Sequence, residues 1–238
     1  MLNIYISTSN QYHGCLKPFA YLFNKFWSRQ QKVTFVGYDL PDFDLPENFE
    51  FVSLGKQKGP SYYGNDFRLF FESLDDEYFI YTMEDQFIYD MVEVDLVHKL
   101  SSYVKQKDVG RVCLTNSIFQ NHMGKRHEFY LNDSNYELVK YSQDSEFRIT
   151  CEWTIWDRDY LCGYLLDGMD PWQFERIGSQ NSKNDGYNLI GCKNKVPIHH
   201  GEAIRRVNTD NGFDFKLVNE DRYLSNDIIV EMKNEGLL

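Results

Sequence analysis

Two adjacent carboxylates, Glu84 and Asp85, follow directly on the apolar run Tyr78-Phe79-Ile80-Tyr81-Thr82-Met83. A run of that kind reads as a buried strand, and in open α/β sheets ligands bind outside the carboxyl ends of the strands. Neighbouring carboxylates at such a place are costly without a cation. Hard oxygen donors select Mg2+ or Mn2+, ions that complete their shells with water and substrate phosphates. The chemistry on offer is neutralisation of the charge that develops on a departing diphosphate. The same pair would also suit an exposed acidic turn ahead of the next helix, where carboxylates favour the helix N-terminus.

Other reaction classes lack their signatures. The sequence contains no GxxxxGK[ST] phosphate loop, no GxGxxG after the first apolar run and no GxSxG elbow, which weakens kinase, dinucleotide oxidoreductase and serine hydrolase readings. The cluster HMGKRHE at 122–128, with Lys125 and Arg126, does not have the spacing of HExxH zinc enzymes. A formal charge of −11, from 25 Lys and Arg against 36 Asp and Glu, argues against duplex nucleic acid or an anionic membrane surface as the main partner. A small polyphosphate stays compatible, because a metal ion supplies positive charge locally. The five cysteines, Cys15, Cys113, Cys151, Cys162 and Cys192, are odd in number and form no CxxC, which reads as reduced thiols in cytoplasm. With neither a signal-peptide pattern nor a membrane-length apolar run, a cytoplasmic protein without stable membrane insertion is expected.

The elements that must position the acid pair are readable from periodicity. Leu2–Ser7 is a short strand followed by the polar loop STSNQYHG, Pro18–Arg29 carries Phe19, Leu22, Phe23, Phe26 and Trp27 at helical spacing, and Lys32–Gly37 is a second strand. Together they predict one βαβ unit. A strand at Phe49–Leu54, a helix over Ser61–Leu74, the strand ending at Met83, a helix carrying Val94, Val97, Leu100 and Val104, and a strand in GRVCLTN continue the alternation. This predicts a mostly parallel central sheet with helices on both faces, an α/β fold in a single domain spanning 1–238. Two halves are expected within it, 1–116 and 117–238. In the second half the pattern predicts two short strands within 127–141, a strand over Phe147–Trp153, a helix over Arg158–Leu166 capped by Asp157, and a short helix from Pro171 to Gly178. The polar stretch from Gly178 to Asn188 is expected to be a loop, and Asp221–Lys233 a closing helix.

The segment DEYFIYTMEDQFI resembles the part of GT-A glycosyltransferases in which a hydrophobic strand delivers a DxD-type acidic motif to a nucleotide-sugar. RITCEWTIWDRDYL followed by PWQFERIGS is similar to a group of bacterial and phage sugar transferases. The likeness covers roughly residues 1–205 and rests on the order and spacing of short motifs, with Glu84-Asp85-Gln86 standing where the family has Asp-x-Asp.

The resemblance implies a GT-A-like, Rossmann-like fold and transfer of a hexose from a nucleotide diphosphate-sugar, first of all a UDP-sugar, to a carbohydrate or other hydroxyl acceptor. It implies Mn2+ or Mg2+ held by Asp85 first and Glu84 second, with a late histidine of the pair His199–His200, taken as His200, as a further ligand. It makes 1–116 the nucleotide-sugar-binding half and 117–238 the acceptor-side half with the C-terminal tail, and places Thr8, Ser9, Asn10 and Tyr12, then Gly37 and Tyr38, then Asp66 and Arg68, around the nucleotide-sugar, and Glu175 near the acceptor as general base. Arg205 and Arg206 are candidates for the diphosphate, and Trp172 for a sugar face. A nucleotidyltransferase and a non-catalytic carbohydrate-binding protein are the alternatives.

Overall fold

The computed structural model describes residues 2–115, 127–133, 136–202, 204–209, 212–217 and 224–238, with the backbone alone for 127–133, 204–209 and 212–217. Lys125 and Arg126, and the side chains of Arg205 and Arg206, lie outside the described residues.

The expected βαβ unit is present as β1 (Ile4–Ser7), α1 (His13–Phe26) and β2 (Val33–Gly37). Helix α1 begins five residues ahead of Pro18, which lies inside it and forfeits one backbone bond to the Gly14 carbonyl. The chain continues through β3 (Phe49–Ser53), α2 (Tyr63–Glu72), β4 (Tyr78–Met83), β5 (Gln86–Ile88), α3 (Val94–Val104) and β6 (Val109–Cys113). Then come β7 (His127–Asp133), β8 (Tyr136–Tyr141), β9 (Thr154–Asp157), α4 (Arg158–Tyr164), α5 (Pro171–Asn181) and β10 (Asn188–Cys192). The short strand β11 (His200–Glu202), a hairpin of β12 (Ile204–Thr209) and β13 (Gly212–Leu217), and α6 (Asn226–Asn234) close the chain.

Among the described residues the central sheet has nine strands in the order β3-β2-β1-β4-β9-β6-β10-β8-β7. Only β9 and β8 run against the other seven, so the sheet is mostly parallel, as expected. Alternation along the strands feeds two cores: Ile4, Ile6 and Ile80 pack with α1, α3 and α6 on one face, and Tyr5, Phe79 and Tyr81 pack with α2, α4 and α5 on the other. Strand order reverses between β1 and β4, since the chain adds β2 and β3 on one side of β1 and then crosses to the other. That switch point is where a doubly wound sheet leaves a crevice.

Two expectations are corrected. Phe147–Trp153 is not a strand. It is an irregular run leading into β9, because Arg148, Thr150 and Trp153 are buried together with Ile149 and Cys151, leaving no alternation of inside and outside. The supposed loop from Gly178 to Asn188 begins as the last turn of α5 and ends in β10, a central strand. All five cysteines are free and buried. Among the described residues no helix is long and apolar enough to cross a membrane.

Candidate active site

A cavity of about 540 Å3 opens at the carboxyl ends of β1 and β4. The strands meet there in register, Ser7 against Met83, and the Glu84 N–H donates to the Ser7 carbonyl at 3.2 Å. The chain therefore leaves both strands at one level and sets Thr8 and Ser9 on one side of the cavity and Glu84 and Asp85 on the other. Beneath them lies a buried hydroxyl chain: Ser7 Oγ meets Tyr81 Oη at 2.7 Å, and Tyr81 Oη meets Tyr63 Oη. The third wall is the run before β9, pinned to β4 by Thr82 Oγ1 donating to the Cys151 carbonyl (3.1 Å) and to β5 by Trp153 Nε1 donating to the Gln86 carbonyl (2.9 Å).

Among the described residues five carboxylates line this cavity, Glu84, Asp85, Glu152, Glu175 and Glu202, and no Lys, Arg or His does. Glu84 is 2% exposed and its Oε2 has no hydrogen-bond partner. Burial first, and then the Asp85 charge beside it, hold its carboxyl well above the ordinary range. Asp85 is half-buried. Burial and the Glu202 carboxylate raise it to about 6, against the lowering effect of Gln86 Nε2, which donates to Oδ1 at 3.2 Å. An exposed acidic turn is thereby ruled out.

Unsatisfied, buried carboxylate oxygens cost free energy unless something cationic or protonated meets them. The orphaned Glu84 Oε2 and Gln86 Oε1 are hard oxygen donors, the type that suits Mg2+ or Mn2+. No three His, Cys, Asp or Glu side chains among the described residues converge as a ligand set. An ion held here would therefore draw most of its shell from phosphate and water.

Glu175 stands on the first turns of α5, whose start is fixed by Pro171 and by a capping box in which Asp170 accepts from the Gln173 N–H while Gln173 accepts from the Asp170 N–H. Its Oε1 accepts from the Cys151 N–H (2.7 Å) and from Thr150 Oγ1 (3.1 Å), leaving Oε2 outside these bonds. Burial pushes this carboxyl up to about 7, with Glu152 adding to the rise and the Cys151 N–H opposing it. The loop that supplies those donors is anchored by the buried Arg148, which donates to the carbonyls of Ser182, Ser142 and Tyr187 and to Asp185 Oδ1 at 2.9–3.1 Å.

The other residues expected at the site divide. Thr8, Ser9, Tyr12 and Tyr38 line the cavity. Asn10 does not: it ties the β1 loop to the β2 loop through paired bonds with Asp39. Gly37 lies beneath the wall, where an added Cβ would stand 2.7 Å from Thr8 Cγ2, so its role is close packing. Asp66 bears on the Tyr38 hydroxyl from behind. Arg68 is turned away, bridging α2 to Asp167 at 2.6 Å and to the Leu165 carbonyl.

His200 is brought near the acid pair, because β11 pairs with β5, but it lies opposite Ile88 while Glu202 lies opposite Gln86. Glu202, not His200, lines the cavity. His200 Nδ1 is buried without a partner, and burial lowers the imidazole below its usual value, keeping it neutral. Sequence reasoning missed Glu152 and Glu202. Glu152 sits two residues from Thr150 in a run misread as a strand, and Glu202 is reached only through the β5–β11 pairing, which local periodicity does not encode.

No protein-family model matches the sequence, and no curated protein matches it. Among solved structures, the mannosyltransferase PcManGT from Pyrobaculum calidifontis, in complex with GDP-Man and Mn2+, is similar at a TM-score of 0.48 and 13% identity over 80% of this chain. The chain spans 55% of the length of that protein.

Proposed function

We propose that the protein is a glycosyltransferase that moves a hexose from a nucleotide diphosphate-sugar to a hydroxyl acceptor. The observation that carries this reading is the Glu84–Asp85 pair, with Glu84 buried and its Oε2 unsatisfied, at the switch point of the sheet in a cavity whose described lining is acidic and without a cationic side chain. A diphosphate cannot approach such a surface unaided, so the reading includes Mn2+ or Mg2+ held by Asp85 and Glu84, with Glu202 and Gln86 close by. The ion, when bound, supplies positive charge against the departing diphosphate.

The chain's own residues would do the rest. Thr8, Ser9, Tyr12 and Tyr38 border the nucleotide end, and the sheet edge holds both substrates in fixed orientation, which lowers the barrier through positioning. Glu175, with its carboxyl raised to about 7, is matched to neutral pH as a general base. It takes the acceptor hydroxyl proton as that oxygen bonds to the anomeric carbon. The bond from that carbon to the diphosphate oxygen breaks, and the nucleotide diphosphate leaves with the electron pair. This single displacement inverts configuration.

The test is a donor screen measuring nucleotide released from UDP-sugars and other common nucleotide-sugars, GDP-mannose included, with and without Mn2+. Metal-dependent release of nucleoside diphosphate from one donor supports the reading. Release of inorganic pyrophosphate would instead indicate nucleotidyl transfer, and binding of glycans with no nucleotide affinity would indicate a non-catalytic carbohydrate-binding protein.

A further inference from the structure

Of the four tryptophans, Trp27, Trp153 and Trp156 are buried, while Trp172 is 58% exposed. It lines the same cavity as the five carboxylates. Leaving a surface of that size in water forfeits hydrophobic free energy, and an exposed aromatic at the mouth of a cavity is a contact surface in search of a ligand. The backbone at Trp172 is fixed, being the second residue of α5 after Pro171 and inside the Asp170–Gln173 capping box. It precedes Glu175 by three residues, which places both on one side of the helix.

A second aromatic, Phe147, also lines the cavity and is 40% exposed. Its φ of +50° is a left-handed conformation that a bulky side chain adopts only under constraint. The constraint is visible: the fully buried Arg111 donates from Nη2 to the Phe147 carbonyl at 2.9 Å, and the next residue, Arg148, is anchored by its own buried side chain, which donates to the Ser182 carbonyl. Two aromatic surfaces on fixed backbone therefore line the cavity that holds the carboxylate expected to act as base.

Charge narrows the ligand further. A nucleotide-sugar arrives with a metal ion that offsets its diphosphate, whereas an acceptor has no such companion. On the Trp172 side of the helix it meets Glu175, and no Lys, Arg or His is among the described lining residues. Once Glu175 is ionised, above about pH 7, a carboxylate, phosphate or sulfate on the ring in contact would be repelled, and at so exposed a position added salt screens that repulsion.

Building on the glycosyltransferase reading, we propose that Trp172 and Phe147 form the acceptor platform, that the acceptor is a glycan presenting the apolar face of an uncharged pyranose ring to Trp172, and that acidic sugars are selected against at this position.

The experiment is saturation-transfer NMR on the full chain at about pH 8, where Glu175 is ionised, with methyl gluco-, galacto- and mannopyranosides and with the matching C6 uronates, at low and at moderate salt. At least one neutral glycoside should receive saturation. The signal should be lost in Trp172→Ala and retained in Trp172→Phe, with thermal denaturation confirming that both variants fold. The uronate should bind about tenfold more weakly at low salt, and the gap should narrow as salt is added. Equal binding of uronate and neutral glycoside at low salt, undiminished binding by Trp172→Ala, or binding of Ser/Thr peptides with no glycoside bound would each overturn the proposal. Nucleoside diphosphate with Mn2+ is titrated into the same samples. Glycoside binding through Trp172 without nucleotide binding would remove the transferase reading and leave the sugar platform standing.

Discussion

Replacing Glu175 by Gln should stabilise the protein and disable it at once, with a stability gain that depends on pH in a defined direction. Glu175 ionises near 7 in the folded chain, against an ordinary value of 4.5. That difference makes ionisation about 3 kcal/mol costlier in the folded chain than in the unfolded one. Because the folded value is raised, the folded state holds the proton more tightly. The group's contribution to stability is full below about 4.5 and is lost as pH climbs through about 7. Glutamine is neutral throughout and keeps an oxygen to accept from the Cys151 N–H and Thr150 Oγ1. At pH 5 the variant and the parent should therefore melt at nearly the same temperature. At pH 8 the variant should be more stable by about 1–3 kcal/mol, a rise of roughly 2–10 °C for a chain of this size. Melting curves from pH 5 to 8, taken without metal or nucleotide, are the assay. The same variant should lose about a hundredfold or more in nucleotide release if Glu175 is the base. A melting difference that is equal at pH 5 and pH 8, or a variant less stable at both, would refute the account of why this carboxyl is raised.

Gly37→Ala should cost about 1–3 kcal/mol, because the added methyl meets Thr8 Cγ2 at 2.7 Å and Phe51 Cζ at 2.9 Å; chemical denaturation reads the loss, and no change would mean the β1 loop relaxes freely. Arg148→Met should cost about 3–5 kcal/mol by leaving Asp185 and three carbonyls without their guanidinium, and it should lower the pH midpoint of any Glu175-dependent activity if the freed loop admits water. Arg68→Ala removes an ion pair with an exposed Asp167, so it should change stability by less than about 1 kcal/mol and leave nucleotide affinity untouched, as a binding titration would record.

The parts of the fold that sequence reading reached are those governed by local periodicity. The βαβ unit, the strand ending at Glu84 and the Asp157 cap, whose carboxylate accepts from the Tyr160 N–H at 2.8 Å, follow from apolar spacing and from short-range hydrogen bonding. The misreadings have a common cause in long-range side-chain contacts. Phe147–Trp153 alternates like a strand in sequence, yet Arg148 is taken inside to bond four groups around residues 142–187, and that network dictates an irregular path. Of the expected site residues, Glu84, Asp85, Glu175, Thr8, Ser9, Tyr12 and Tyr38 meet at one cavity because they end strands or begin a helix at the same edge of the sheet. Arg68 and Asn10 are placed at the site by the resemblance alone, and in the structure each is already engaged by an acid, Asp167 and Asp39. Position along β11 decides between His200 and Glu202, and only the register of a non-local pairing fixes it.

Mn2+ electron paramagnetic resonance, titrated with the nucleotide that the donor screen selects, tests the central claim most directly. The parent protein should take up Mn2+ together with nucleotide, and Asp85→Asn combined with Glu84→Gln should abolish that uptake while melting at the same or a higher temperature. Undiminished Mn2+–nucleotide binding by the doubly substituted protein would contradict the assignment of these two carboxylates to the metal.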